Sequence, residues 1–143
     1  PEIFDGEHLG SSLARACTGG ERILIPRAET ANQELILELQ KVPDVQIDDV
    51  PTYRTLYESS ELIDQKAEFE QGKIDFAVFT SASTVRGFAQ AAKGLDFSLV
   101  RAVCIGKQTK QAADELGMQS WMSEKATMDS VLDKVKELCR KQL

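Results

Sequence analysis

The sequence is poor in the residues from which ordinary catalytic and cofactor sites are built. Its 143 residues hold one histidine, His8, and three cysteines, Cys17, Cys104 and Cys139. A single histidine near the amino terminus, outside the strand-end loops, reads as a surface residue and leaves no His-based triad. The cysteines are odd in number and lack the C-x₂-C spacing of a zinc site, so no metal is expected. Cys104 lies in an apolar run and reads as a buried, inert thiol, which suits a reducing, cytoplasmic setting. Neither G-x-x-x-x-G-K-[ST] nor G-x-G-x-x-G occurs, and there is no G-x-S-x-G elbow. No apolar run approaches the ~18 residues of a membrane span. A net charge of −6 argues against nucleic acid and anionic membranes as partners.

What is present is an alternation of short apolar runs and amphipathic stretches, the pattern of a parallel α/β sheet. Strands are expected near 22–26, 45–50, 75–80, 100–105 and 119–122. Helices are expected near 7–18, 30–41, 60–71, 82–92, 108–116 and 127–141. Ile23-Leu24-Ile25, Phe76 to Phe79 and Ala102 to Ile105 are continuously apolar, as strands covered on both faces should be. The mixed runs 45–50 and 119–122 suit sheet edges. Together they predict one flavodoxin-like, five-stranded parallel sheet of order 2-1-3-4-5 with helices on both faces. Thr30-Ala31-Asn32-Gln33 reads as a capping box for the second helix. The chain opens on Pro1 without a methionine, and a processed product or a piece of a longer chain is expected.

Three strand-to-helix turns share a design: Pro26 to Thr30, Thr80 to Thr84, and Gly106 to Lys110. In an open parallel sheet such turns lie at the carboxyl ends of strands, where ligands bind. Their helix starts leave backbone N–H groups without helical partners, and those groups can hold an anion. Thr80, Ser81, Ser83 and Thr84 add hydroxyls to the middle turn. A helix N-terminus disfavours cations, yet Arg27, Lys107 and Lys110 sit at or near such starts, with Arg86 one turn further in. They read either as solvated side chains or as a basic rim, on an acidic protein, for a ligand with several carboxylates. A receiver-domain reading fails, because Thr80-Ser81 and Pro26-Arg27 stand where that fold needs aspartates. Tyr53, just past the second strand, is a phenol that could act as a general acid or simply pack.

These segments, in their order, resemble uroporphyrinogen-III synthases. Arg22 to Arg27 with its following helix, Val50-Pro51-Thr52-Tyr53-Arg54-Thr55, Ile74 to Phe88, and Ile105 to Thr109 running into Glu115-Leu116-Gly117 carry the likeness, with Ala126-Thr127-Met128 in the tail. The resemblance implies cyclisation of hydroxymethylbilane, a linear tetrapyrrole with eight carboxylates, to uroporphyrinogen III with ring D inverted. The terminal hydroxyl leaves to give an azafulvene, a spiro-pyrrolenine follows, and no metal or organic cofactor takes part. It further implies that Tyr53 assists hydroxyl departure and that Ser81 and Thr109 contact substrate carboxylates; Arg27, Thr80, Ser83, Arg86, Lys107 and Lys110, read from the turns themselves, join them as the expected substrate-binding set. Lys107-Gln108 departs from the small or proline residue that follows the glycine in the family.

Family members are about twice this length, with two α/β domains across a cleft. The chain is therefore expected to be their carboxyl-terminal portion, a single α/β domain over 1–143 with the family's domain crossover near 50–58. Little activity is expected of it alone, and the partner that completes it is either the amino-terminal portion or a second copy by segment exchange. The alternatives are a non-catalytic α/β domain that binds a polycarboxylate ligand, and one that binds a protein partner.

Overall fold

The computed structural model describes residue 3 and residues 5–58 and 63–141. The chain divides into two compact units, Pro1–Leu56 and Tyr57–Leu143.

The first unit runs α1 (Gly6–Ala16), β1 (Arg22–Ala28), α2 (Glu34–Leu39) and β2 (Gln46–Tyr53). Asp5 starts α1 by accepting from the His8 backbone N–H at 2.8 Å and also meets the His8 ring nitrogen Nδ1 at 2.7 Å. β1 and β2 pair in parallel, from Arg22 opposite Gln46 to Ala28 opposite Tyr53. Ile23, Ile25 and Ile47 pack on Leu35, Ile36 and Leu39 of α2. Leu24, expected to be covered, is 64% exposed, so β1 alternates like a strand with one covered face. The capping box at Thr30 does not form. α2 begins after Gln33 with no side-chain cap, because Arg27 binds the carbonyls of Ala31 and Asn32 and keeps that stretch out of the helix.

The second unit runs α3 (Gln65–Glu70), β3 (Ala77–Phe79), α4 (Ala82–Ala91), a 3₁₀ turn (Phe97–Leu99), β4 (Arg101–Cys104), α5 (Lys107–Glu115), β5 (Gln119–Met122) and α6 (Met128–Arg140). The start of the helix expected over 60–71 falls partly on 60–62, outside the described residues; α3 itself is short. β3, β4 and β5 form a parallel sheet in that order. Ala102, Val103 and Cys104 of the central strand are fully buried. Ala102 and Cys104 face a core with Phe79, Val85, Leu95, Ala112, Ala113 and Met118, while Val103 faces Val131 and Leu138 of α6. Phe88 sits among Phe69, Phe79 and Phe97 with ring centroids 5.5–6.2 Å apart, a spacing that favours tilted aromatic contacts.

The five strands thus form sheets of two and three strands rather than one sheet of order 2-1-3-4-5. Pro26 in β1, the strand expected inside the sheet, gives a physical reason. A proline lacks the N–H that an interior strand contributes to a ladder, so it belongs at edges and strand ends.

Candidate functional site

The parallel register of β3, β4 and β5 brings three strand ends to one edge, and each end leads directly into a helix. Ser81 caps α4, Gly106 caps α5 and Thr127 caps α6. The strand ends are tied together by backbone bonds. Ile105 N–H donates to Phe79 O at 3.0 Å, and Ser123 N–H donates to Cys104 O at 2.9 Å.

The three helix starts differ in what they leave available. At α4 the hydroxyls form a reciprocal box: Thr84 N–H donates to Ser81 Oγ at 3.1 Å, and Ser81 N–H donates to Thr84 Oγ1 at 3.3 Å. Thr84 Oγ1 also donates to Ser81 O, and Ser83 Oγ lies 2.9 Å from Ser81 Oγ. The Ala82 and Ser83 N–H groups lie at the first two helical positions, which that box does not reach. At α6, Thr127 Oγ1 accepts from Ser130 N–H at 3.3 Å. α5 is different. Its cap is a glycine with no side-chain bond, so the N–H groups of Lys107 and Thr109 receive nothing from a capping side chain. That start offers backbone N–H groups to an anion.

Of the residues singled out in the sequence, Thr80, Ser81, Ser83, Arg86, Lys107, Thr109 and Lys110 lie on these two turns and their helices. Thr80, Arg86 and Lys107 are exposed, whereas Thr109 is 4% exposed and packs inward. Thr109 can therefore offer its backbone N–H more readily than its side chain. Among the described residues Arg86 and Lys107 form no ion pair, while Lys110 is held by Asp114 at 2.7 Å on the same helix. Asp114 also accepts from Ser120, and the Lys110 ammonium with that hydroxyl holds its carboxyl below the usual range.

Arg27 and Tyr53 belong to the first unit. Arg27 is committed to its own neighbours: Nε and a terminal nitrogen donate to the two oxygens of Asp49 at 2.5 and 2.6 Å, and the other nitrogen takes the Ala31 and Asn32 carbonyls. Asp49 is thereby a cross-strand partner, and the guanidinium lowers its pKa. Arg27 clamps the turn after β1 to β2. Tyr53 is the last residue of β2, not part of a turn beyond it, and is 63% exposed. Its carbonyl accepts from Glu29 N–H at 2.9 Å, which fixes the backbone and leaves the ring outside.

Two further observations bear on chemistry. Cys104 is fully buried and burial pushes its thiol up to about 11, as an inert cysteine requires. Among the described residues no group of three or more His, Cys, Asp or Glu side chains could hold a metal, and no helix is long and apolar enough to cross a membrane. Sequence reasoning missed Ser123, a 2% exposed hydroxyl behind the α5 and α6 starts. Nothing in the sequence around it, after the mixed run 119–122, marks it out.

Residues 1–133 match the family model described as uroporphyrinogen-III synthase HemD. The chain is 35% identical over 138 residues to the porphyrin biosynthesis protein HemD of Ruminiclostridium josui, covering 96% of this chain and 27% of that protein. It is 29% identical over 142 residues to the uroporphyrinogen-III synthase of Synechococcus elongatus, covering 94% of this chain and 52% of the relative. The chain thus spans about half or less of these relatives' lengths. Its fold is similar to the crystal structure of uroporphyrinogen-III synthetase from Helicobacter pylori, with a TM-score of 0.61 at 21% identity over 95% of this chain and 60% of that one. A mutant uroporphyrinogen III synthase from Thermus thermophilus gives 0.58 at 20% identity, over 92% of this chain and 55% of that one. The match over 133 residues establishes that the chain belongs to the uroporphyrinogen-III synthase family.

Proposed function

We propose that the chain is part of a uroporphyrinogen-III synthase, and that the carboxyl edge of β3–β4–β5 binds carboxylates of hydroxymethylbilane. The observation that carries this reading is the α5 start, where a glycine cap leaves the N–H groups of Lys107 and Thr109 without a capping side chain, beside a second helix start at α4. Each helix N-terminus favours an anion by about 0.3–1 kcal/mol at an exposed site, and a ligand with eight carboxylates can engage several at once. Exposed Arg86 and Lys107 add positive charge to an otherwise acidic chain. Thr80, Ser81, Ser83 and Lys110 complete the contact set, Lys110 in competition with Asp114. Arg27 serves as a clamp, because its donors are already committed to Asp49 and two carbonyls.

The chemistry asks little of acid–base groups. The substrate's terminal hydroxyl leaves from a pyrrole-stabilised carbon, and the resulting azafulvene is attacked within the same molecule. What decides the product is the shape in which the chain of pyrroles is held, so fixed carboxylates do most of the work. Tyr53, exposed at the end of β2, is the group assigned to assist hydroxyl departure.

The break between Leu56 and Tyr57 supports placing the family's domain crossover within 50–58. Because the relatives are longer than the matched stretch, these 143 residues bind tetrapyrrole but turn it over weakly or not at all on their own. Titration with uroporphyrinogen III and with its monopyrrole precursor tests the binding. Saturable binding of the tetrapyrrole, weakened by added salt, supports the reading, and affinity no greater than that of the monopyrrole overturns it.

A further inference from the structure

Ser123 uses its hydroxyl in a way no capping rule accounts for. It follows β5, is 2% exposed, and lies between two carbonyls from different loops. Ser123 Oγ is 3.1 Å from Ile105 O, in the turn that leads into α5, and 2.8 Å from Lys125 O, in the turn that leads into α6. Its backbone N–H is separately committed to Cys104 O. One hydroxyl proton is thus shared between two acceptors, and the Ile105 carbonyl is joined to the turn that leads into α6.

What the bridge holds is the open helix start. Ile105 precedes Gly106, and Gly106 O accepts from Lys110 N–H at 3.0 Å to close the first turn of α5. On the α6 side, Lys125 O also accepts from Thr127 N–H at 2.8 Å, and Lys125 N–H donates to Ser130 Oγ at 3.0 Å. The turn that anchors Ser123 is therefore itself braced, while the Ile105–Gly106 turn has no side-chain cap.

We propose that Ser123 is a positioning residue, which fixes the Ile105–Gly106 turn so that the N–H groups of Lys107 and Thr109 converge on one substrate carboxylate. The assignment of a carboxylate there rests on the function proposed above; the rigidity of the turn does not. A turn free to rotate would still form α5, since the helix packs through buried Ala112 and Ala113. Only the aim of its first N–H groups would be lost.

The test separates the two parts. Hydrogen exchange of the Lys110 amide reads the turn without any ligand. It should quicken about tenfold in Ser123→Ala, as expected when a buried hydrogen bond is removed. It should not change in Val135→Ala, which loosens the α6 packing elsewhere. Fluorescence titration with uroporphyrin III, a stable octacarboxylate, should show an increase in Kd of about tenfold for Ser123→Ala only, the same loss read as affinity. Ser123→Cys keeps the volume without the strong donor and gives the same reading should the alanine variant not fold. Unchanged Lys110 exchange in both Ser123 variants overturns the bridge. Faster exchange with undiminished affinity overturns the positioning role. A wild-type chain that fails to bind the octacarboxylate defeats the proposed ligand, and the exchange result then decides the bridge by itself.

Discussion

Replacing Ser81 by aspartate separates the stability of the α4 start from its use as an anion site. The serine oxygen accepts from Thr84 N–H at 3.1 Å, with Ser83 Oγ 2.9 Å away as a second donor. A carboxylate can accept both bonds, and Asp caps helices as well as Ser. Its charge also complements the helix dipole by about 0.3–1 kcal/mol. Stability should therefore hold or rise slightly, whereas Ser81→Ala should lose about 1 kcal/mol with the cap. Binding should respond in the opposite sense. A substrate carboxylate about 4 Å from the new charge is repelled by ~1 kcal/mol in water-like surroundings and ~4 kcal/mol at an effective dielectric of 20. An increase in Kd of at least about fivefold for uroporphyrin III is thus expected at low salt, shrinking as salt is added. Urea unfolding and fluorescence titration measure the two quantities on the same sample. Ser81→Asp that folds well and binds as tightly as wild type would refute the placement of a carboxylate at α4.

Three other outcomes follow from particular contacts. At Gly10→Ala, the new Cβ would lie 2.6 Å from Glu38 Cβ and 3.0 Å from Leu35 O. The helix-propensity gain of about 1 kcal/mol is then outweighed by overpacking of about 1–3 kcal/mol, and urea unfolding should show a net loss. The Glu21 carboxyl is lowered from 4.5 to about 2 by bonds from the Thr18 N–H, the Thr18 hydroxyl and the Gly19 N–H. A depressed folded-state pKa contributes stability above 4.5 that is lost as pH falls toward 2. Glu21→Gln should therefore flatten the fall in stability over that window, as followed by acid titration of the unfolding midpoint. In the complete enzyme, Tyr53→Phe should slow formation of the ring-inverted product by up to ~100-fold, the low end of general-acid contributions; an unchanged rate removes the phenol from the chemistry.

Much of this was legible in the residues. The helices α1, α4, α5 and α6 and the strand cores follow apolar spacing, and the turns after Phe79 and Ile105 announce themselves by hydroxyls and glycine. What could not be read depends on register between distant segments. Arg27 looked like a rim cation because its partner Asp49 is 22 residues away and meets it only once β1 and β2 pair from Arg22 and Gln46 onward. The same guanidinium undoes the capping box at Thr30, so one unseen ion pair misplaces both a site residue and a helix start. The three apolar residues Ile23-Leu24-Ile25 suggested a strand buried on both faces, whereas Pro26 carried the opposite message about sheet order. Lys110 kept its expected place, but Asp114 one turn on holds its charge. Ser123 had no local signature, since its two acceptors belong to loops that only the packed sheet brings together.

The role proposed for this chain is to hold a polycarboxylate tetrapyrrole for ring-inverting closure. It is tested by the isomer composition of uroporphyrinogen formed from fresh hydroxymethylbilane, with this chain alone and with the remaining portion of the enzyme supplied separately. Mostly the spontaneous type I isomer is expected from the chain alone, and type III when the two portions are combined. Type I product in both cases, with the two portions folded and mixed in excess over substrate, would overturn that role.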